Sequence, residues 1–141
     1  MSRKKERSNR LCFIRLNYSL LTVVEIPLIR IACDTFSAGK YKGIRYLDVT
    51  TVYTKEKNSV IINVVNRHKD KAVTTEIVNQ SGNFSGKPSV TEVTANDLSE
   101  GFSFYKQKEY IPASKEATAM GNKIVYSFPP HSFTQIIVKV D

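Results

Sequence analysis

Tryptophan is absent from this chain, and histidine, cysteine and methionine occur twice each. Each scarcity removes a class of function. His68 and His131 stand far apart, and no H-x-x-x-H, H-x-H or His/Cys cluster occurs. A zinc site therefore lacks ligands at a workable spacing. Cys12 and Cys33 are too few for a disulfide scaffold and form no CxxC pair. Two buried free thiols are the ordinary reading of such residues; a Cys12–Cys33 bridge is the alternative, which sequence alone does not decide. There is no P-loop, no G-x-G-x-x-G and no G-x-S-x-G nucleophile elbow. Long hydrophobic runs are lacking as well. Residues 11–33 are apolar after a basic start, but Arg15, Asn17, Glu25 and Arg30 interrupt them, and no charge-free piece reaches the ~20 residues of a membrane span. No small-x-small cleavage site follows Leu20–Val24. Neither a signal peptide nor a membrane partner is expected, and the cytoplasm is the default location.

What is present fits one domain. The chain has 141 residues, 41% of them hydrophobic and 24% charged, ordinary globular values for a length that supports a real core. The net charge of +8 is unevenly spread. MSRKKERSNR (residues 1–10) holds five basic side chains and one acid, half of the whole excess. A basic arm can hold nucleic acid or anionic lipid. No aromatic interleaves with these charges, so the arm reads as a solvated terminus and no nucleic-acid partner is expected.

From Leu47 onward the chain reads as strand, turn, strand. LDVTTVYT (47–54) alternates in period two, and Thr, Val and Tyr favour strands. Val60–Val65 is apolar on both faces except at Asn63, the pattern of a central strand. RHKDK (67–71) is a polar turn, and Ala72–Val78 is expected to return as the partner of a hairpin. Residues 79–88 carry loop chemistry. Ser89–Ala95, Lys123–Phe128 and Phe133–Val140 are further strands. Pro129-Pro130 forces a corner. FSAGKYKGIRY (36–46) is a glycine-bearing loop, Phe102–Tyr110 an edge strand and residues 111–122 a long connection. With no amphipathic helix anywhere, the fold class is all-β: an antiparallel β-sandwich, jelly-roll-like.

No catalytic residue can be assigned. Paired carboxylates run glycoside hydrolysis, but Asp48, Glu76 and Glu92 are explained by outward-facing polar positions of strands. Asp34 and Asp97 suit capping. Asn17-Tyr18-Ser19, Asn79-Gln80-Ser81 and Asn83-Phe84-Ser85 match the glycosylation triplet, a weak signal. Phe102, Phe104, Tyr105 and Tyr110 form an aromatic cluster. Packing into a core or interface is the ordinary use of such residues, and an exposed platform for carbohydrate is the rival. No metal and no cofactor are expected.

Several pieces together resemble a known family. LDVTTVYTKEKNSVIINVVNRHKDKAV, the loop SGNFSGK, VTEVTANDLS and the ending IVYSFPPHSFTQIIVKV are similar to the C-terminal domain of the α-L-arabinofuranosidases of glycoside hydrolase family 51. Val64, Val65, Asn66 and Arg67 carry the first signature; Pro129, Pro130, Ser132 and the strand through Ile137 carry the last. The resemblance runs over residues 33–141. It implies a C-terminal β-sandwich domain of an enzyme that removes terminal arabinofuranosyl groups from arabinan and arabinoxylan. In that family two glutamates on a preceding (β/α)8 barrel do the chemistry. A barrel needs ~200 residues or more, so the resemblance carries no catalytic residue onto this chain, which alone is expected to be inactive. Asn66 and Arg67 are expected to end a strand and fix its turn. Residues 1–32 depart from the family, as a truncated or frame-disrupted reading frame would. Without the strand that the family draws from its far N-terminus, an unpaired sheet edge is expected, and with it self-association. The partner implied is the (β/α)8 catalytic domain.

Overall fold

Period-two alternation of apolar and polar residues can be satisfied only by strands with one face on a core. The computed structural model describes residues 11–18, 24, 25, 27–95, 97–99, 101, 103–106, 108 and 110–141. They form thirteen strands: β1 (Cys12–Asn17), β2 (Val24–Glu25), β3 (Leu28–Ala32), β4 (Thr35–Ala38), β5 (Tyr41–Arg45), β6 (Leu47–Thr54), β7 (Ser59–Asn66), β8 (Val73–Asn79), β9 (Phe84–Thr94), β10 (Ala113–Lys115), β11 (Ala119–Met120), β12 (Lys123–Phe128) and β13 (Ser132–Val140). One sheet has the order β11-β12-β8-β1-β3, a second β10-β9-β13-β7-β6-β2, and β4-β5 is a separate hairpin. The two large sheets make the expected β-sandwich.

The core lies between them. Val60, Ile62 and Val64 of β7 and Ile136 and Val138 of β13 point inward from one sheet, and Ile14, Leu16, Ile77, Ile124 and Phe128 from the other. Each such side chain, fully buried, contributes roughly 1.5–3 kcal/mol. The strand Val60–Val65 is central as read, with β6 on one side and β13 on the other.

Several expectations are corrected, among them the long connection read at residues 111–122, which contains β10 and β11. The turn at RHKDK does not make a hairpin, because β7 and β8 lie in different sheets. Both strands carry a core face, and those faces are satisfied by meeting across the interior rather than side by side. Residues 36–46 are not a loop: β4 and β5 pair, with Phe36 opposite Ile44 and a turn at Gly39, whose φ of 57° suits glycine. The edge strand expected at Phe102–Tyr110 is instead a short 3-10 turn at Phe104–Lys106, with Phe102, Gln107 and Glu109 outside the described residues.

The N-terminal segment is integral to the sandwich. Cys12, Ile14 and Leu16 alternate inward from β1, which lies inside its sheet, parallel to β8 and antiparallel to β3. Tyr18 continues inward and stacks on Tyr53 of the other sheet, ring centroids 4.7 Å apart, while its hydroxyl accepts from Asn79 Nδ2 at 2.9 Å. The cysteines are not free thiols. Phe13 faces Ala32 in the β1–β3 ladder, which sets Cys12 beside Cys33, and the two are disulfide-bonded.

Both sides of the sandwich are closed by chain that changes sheet. On one side β2 borders β6 and β3 borders β1, with buried Pro27 between them; on the other β10 borders β9 and β11 borders β12, with buried Ala117 between them. Three of these four edge strands have only two or three residues, so little open ladder is presented. Among the described residues no helix is long and apolar enough to cross a membrane.

Candidate functional site

The two stretches that carry the sequence signature meet at one end of the sandwich. Asn66, the last residue of β7, is fully buried. Its Nδ2 donates toward Pro129 O at 2.8 Å, Phe128 O at 3.0 Å and Lys71 O at 3.1 Å, and its Oδ1 accepts from His68 N at 2.9 Å. One amide thus joins the β7–β8 crossing to the Pro129-Pro130 corner between β12 and β13. Ser132 Oγ donates to Pro129 O at 2.7 Å, and His131 N donates to His68 O at 2.9 Å. His131 holds a φ of 40°, in the left-handed region. Arg67 turns outward to pair with Asp48 on β6. His68 Nδ1 accepts from Asp70 N at 3.1 Å and Lys71 N at 3.0 Å. Its ring stacks on Tyr46, which stacks on Phe36, at centroid distances of 4.5 and 4.9 Å. Asn66, His68 and Ser132 are engaged in holding turns, whereas the Nδ1 atom of His131 is buried without a hydrogen-bond partner. Asn66 ends a strand and fixes its turn; the Arg67 side chain instead ties that end of the sheet to Asp48 on β6.

The three strand carboxylates lie in three different places. Asp48 is exposed on the outer face of the six-stranded sheet. Glu76 is on the outer face of the five-stranded sheet, 3.1 Å from Lys123 Nζ. Glu92 does not face outward as expected: it lies between the sheets, 6% exposed. It accepts from Tyr126 Oη at 2.7 Å, with Lys115 Nζ 3.9 Å away. The reason is register. Glu92 is two residues on from Val90 and four from Pro88, and all three share the inward face of β9. No two of these acids flank a common point, so the paired-carboxylate chemistry has no site among them. Among the described residues no three His, Cys, Asp or Glu side chains group as a metal site.

Burial and the Glu92 carboxylate push the Tyr126 phenol well above its usual range; burial raises Tyr18 as well. A raised phenol pKa keeps the folded form protonated where the unfolded chain ionises. Its stabilisation is complete below the unfolded pKa, about 10, and is lost progressively above it. Unfolding by urea should therefore become easier from about pH 10 upward, and Tyr126→Phe should flatten that slope while lowering stability at neutral pH. An unchanged alkaline slope in the variant would refute this account.

The aromatic segment gives the other candidate. Phe104 and Tyr105 are not packed away: they are 81% and 96% exposed, edge to face at 6.2 Å. Tyr110 is half-buried. Asp97, at the turn before them, accepts from Ser99 N at 2.8 Å and Ser99 Oγ at 2.7 Å, bonds that hold its carboxyl below the usual range. Of the glycosylation triplets, Asn79 is 1% exposed and occupied with Tyr18, which leaves it out of reach of modification.

These features define a class by fold: a two-sheet β-sandwich domain. No family model matches the chain and no curated protein sequence matches it. Solved structures do. A family 51 arabinofuranosidase from Xanthomonas axonopodis pv. citri superposes with a TM-score of 0.70 at 14% identity, over 81% of this chain and 23% of that one. The α-L-arabinofuranosidase of Thermotoga maritima gives 0.70 at 16% identity, over 82% and 26%. A family 44 xyloglucanase from Paenibacillus polymyxa gives 0.58 at 14% identity, over 82% and 19%. The chain has the fold of the sandwich portion of family 51 arabinofuranosidases and spans about a quarter of the length of those enzymes. The xyloglucanase match shows that one sandwich accompanies more than one activity.

Proposed function

We propose that the chain is a non-catalytic accessory domain of an α-L-arabinofuranosidase, the C-terminal sandwich that accompanies a (β/α)8 catalytic domain acting on terminal α-L-arabinofuranosyl groups of arabinan or arabinoxylan. The sandwich fold, common to large glycoside hydrolases of which it is a small part, supports this reading. The observation that carries it is the Asn66 cluster. The V-V-N-R and P-P-x-S signatures meet at a single buried amide that holds two turns together. What the resemblance marks is thus an architectural joint rather than a place where substrate sits. The purified chain should release no p-nitrophenol from p-nitrophenyl α-L-arabinofuranoside above the buffer rate. Turnover that survives repurification and scales with chain concentration would refute the reading.

A second reading, a carbohydrate-binding module, is favoured by the exposure of Phe104 and Tyr105. Stacking of sugar rings on two exposed aromatic faces is the usual basis of such binding. Affinity electrophoresis through arabinan separates the two. Retardation abolished by Tyr105→Ala supports a binding module; migration identical with and without arabinan supports the accessory domain alone.

A further inference from the structure

The outer face of the five-stranded sheet carries positive charge that nothing balances. Arg15 on β1 stands directly opposite Arg30 on β3. On its other side Arg15 stands opposite Val78 of β8, and Val78 stands opposite Lys123 of β12. Residues paired across neighbouring strands share a face, so Lys123, Val78, Arg15 and Arg30 make one row across the sheet. Both arginines are exposed. Like charges directly opposite each other in an antiparallel pair are destabilising, and an acid beside them would relieve the repulsion. The only acid among the described outward positions of this sheet is Glu76, and it lies 3.1 Å from Lys123 Nζ. Arg15 and Arg30 have no carboxylate partner among the described residues, whereas Arg67 has Asp48. Protection of an open edge accounts for a charge at Arg30, on the edge strand. It does not account for Arg15, whose strand is paired on both sides.

We infer that Arg15 and Arg30 form a binding site for the carboxylates of an acidic polysaccharide, a polymer of uronic acid sugars laid across the strands. A guanidinium fork meets a carboxylate through two parallel hydrogen bonds. The cross-strand pair sets two such forks with their Cβ atoms about 5 Å apart. A polyuronate repeats a carboxylate on every sugar, so one chain can fill both forks and remove the repulsion between them. Lys123 stands three strand spacings from Arg30, roughly 14 Å. It already holds Glu76 and adds attraction at a distance rather than a contact. A chain of net charge +8 draws any polyanion toward it, but the face discriminates among them. Single-stranded nucleic acid is held by aromatic platforms on which its bases stack. The only aromatic among the described outward positions of this sheet is Phe13, half-buried. The choice of a sugar polymer rests on the accessory-domain reading above; the unpaired arginines do not.

Calorimetric titration of the full chain with oligogalacturonate at moderate salt tests it. Arg15→Gln/Arg30→Gln should weaken binding by about tenfold or more. Lys55→Gln/Lys57→Gln, in the turn between β6 and β7, removes the same charge and should bind like wild type. Arg15→Lys/Arg30→Lys keeps the charge without the fork and should also weaken binding. The glutamine pair at 15 and 30 should melt no earlier than wild type, because no ion pair is lost, so weaker binding is not a loss of fold. Absence of binding by wild type overturns the inference. So does equal weakening by the two glutamine pairs, or binding that survives Arg15→Gln/Arg30→Gln and disappears when residues 1–10 are deleted. Binding of a single-stranded oligonucleotide or of anionic lipid vesicles as tightly as oligogalacturonate overturns it as well. The arabinofuranoside assay tests the accessory-domain reading separately, so failure of one is distinguishable from failure of the other.

Discussion

Asn66→Ala should lower the stability of the sandwich by about 3 kcal/mol, because it strips partners from one buried and two partly buried carbonyls and from one backbone N–H, a buried group being worth roughly 1–3 kcal/mol when left unpaired. For a domain of this size that is a fall of about 10 °C in melting temperature. The carbonyls are those of Phe128, Pro129 and Lys71, and the N–H is that of His68. Asn66→Asp is the sharper test. It keeps the volume but puts a carboxylate oxygen where a donor must be, against carbonyl oxygens, and should cost at least as much as alanine. Chemical denaturation of the two variants decides; a loss under 1 kcal/mol for both would sink the joint described here.

Reduction of the Cys12–Cys33 bridge should be nearly as costly. The bridge closes a loop of sequence separation 21, and constraining a loop of that size in the unfolded chain is worth about 3 kcal/mol. The loss should be local first. β3 is an edge strand whose ladder partner is β1, and the bridge ties the end of β3 to that buried strand. Amide hydrogen exchange should accelerate at Leu28–Ala32 before it does at β7 or β13. Thiol titration of the native, unreduced chain should find no free cysteine; two titrating thiols would show that the bridge is not formed. A reducing cytosol opens such bridges, whereas an oxidising compartment keeps them. The cytoplasmic default drawn from the missing signal pattern therefore carries a stability cost.

The later strands were legible because their alternation is regular and bounded by turn residues. β6 and β12 match their sequence-read limits, β13 differs by one residue at its start, and β7 and β8 differ by one residue at each end. β9 runs back to Phe84 through a stretch that reads as loop. Gly86 there takes a φ of 73°, and the β9–β13 register shifts between Ile137 and Lys139, a bulge that uses glycine inside a ladder. Early strands were obscured. Cys12, Ile14 and Leu16 alternate cleanly with Phe13, Arg15 and Asn17, but outward-facing Phe13 and the apolar residues beyond Tyr18 blur the period. The disulfide depended on the β1–β3 register, which no spacing rule supplies. At the candidate site, Asn66 was recognisable as a strand end, but the carbonyls it gathers lie 62 and 63 residues away, a distance only the fold spans. Glu92 was misread because an inward carboxylate next to Val90 makes sense only once Tyr126 stands opposite.

The position of β13 has a consequence for synthesis. The strand sits between β7 and β9 and pairs with both over most of its length. While the nascent chain is still on the ribosome, β7 lacks one neighbour and β9 has only three-residue β10 beside it. Two long hydrophobic strands, each with an open ladder, then wait for β13 to emerge. Sheet closure cannot precede the emergence of β13, and the pairing is between distant parts of the chain, which makes folding slow. The interval between emergence of β9 and arrival of β13 is when this protein is most exposed to aggregation and most dependent on chaperones.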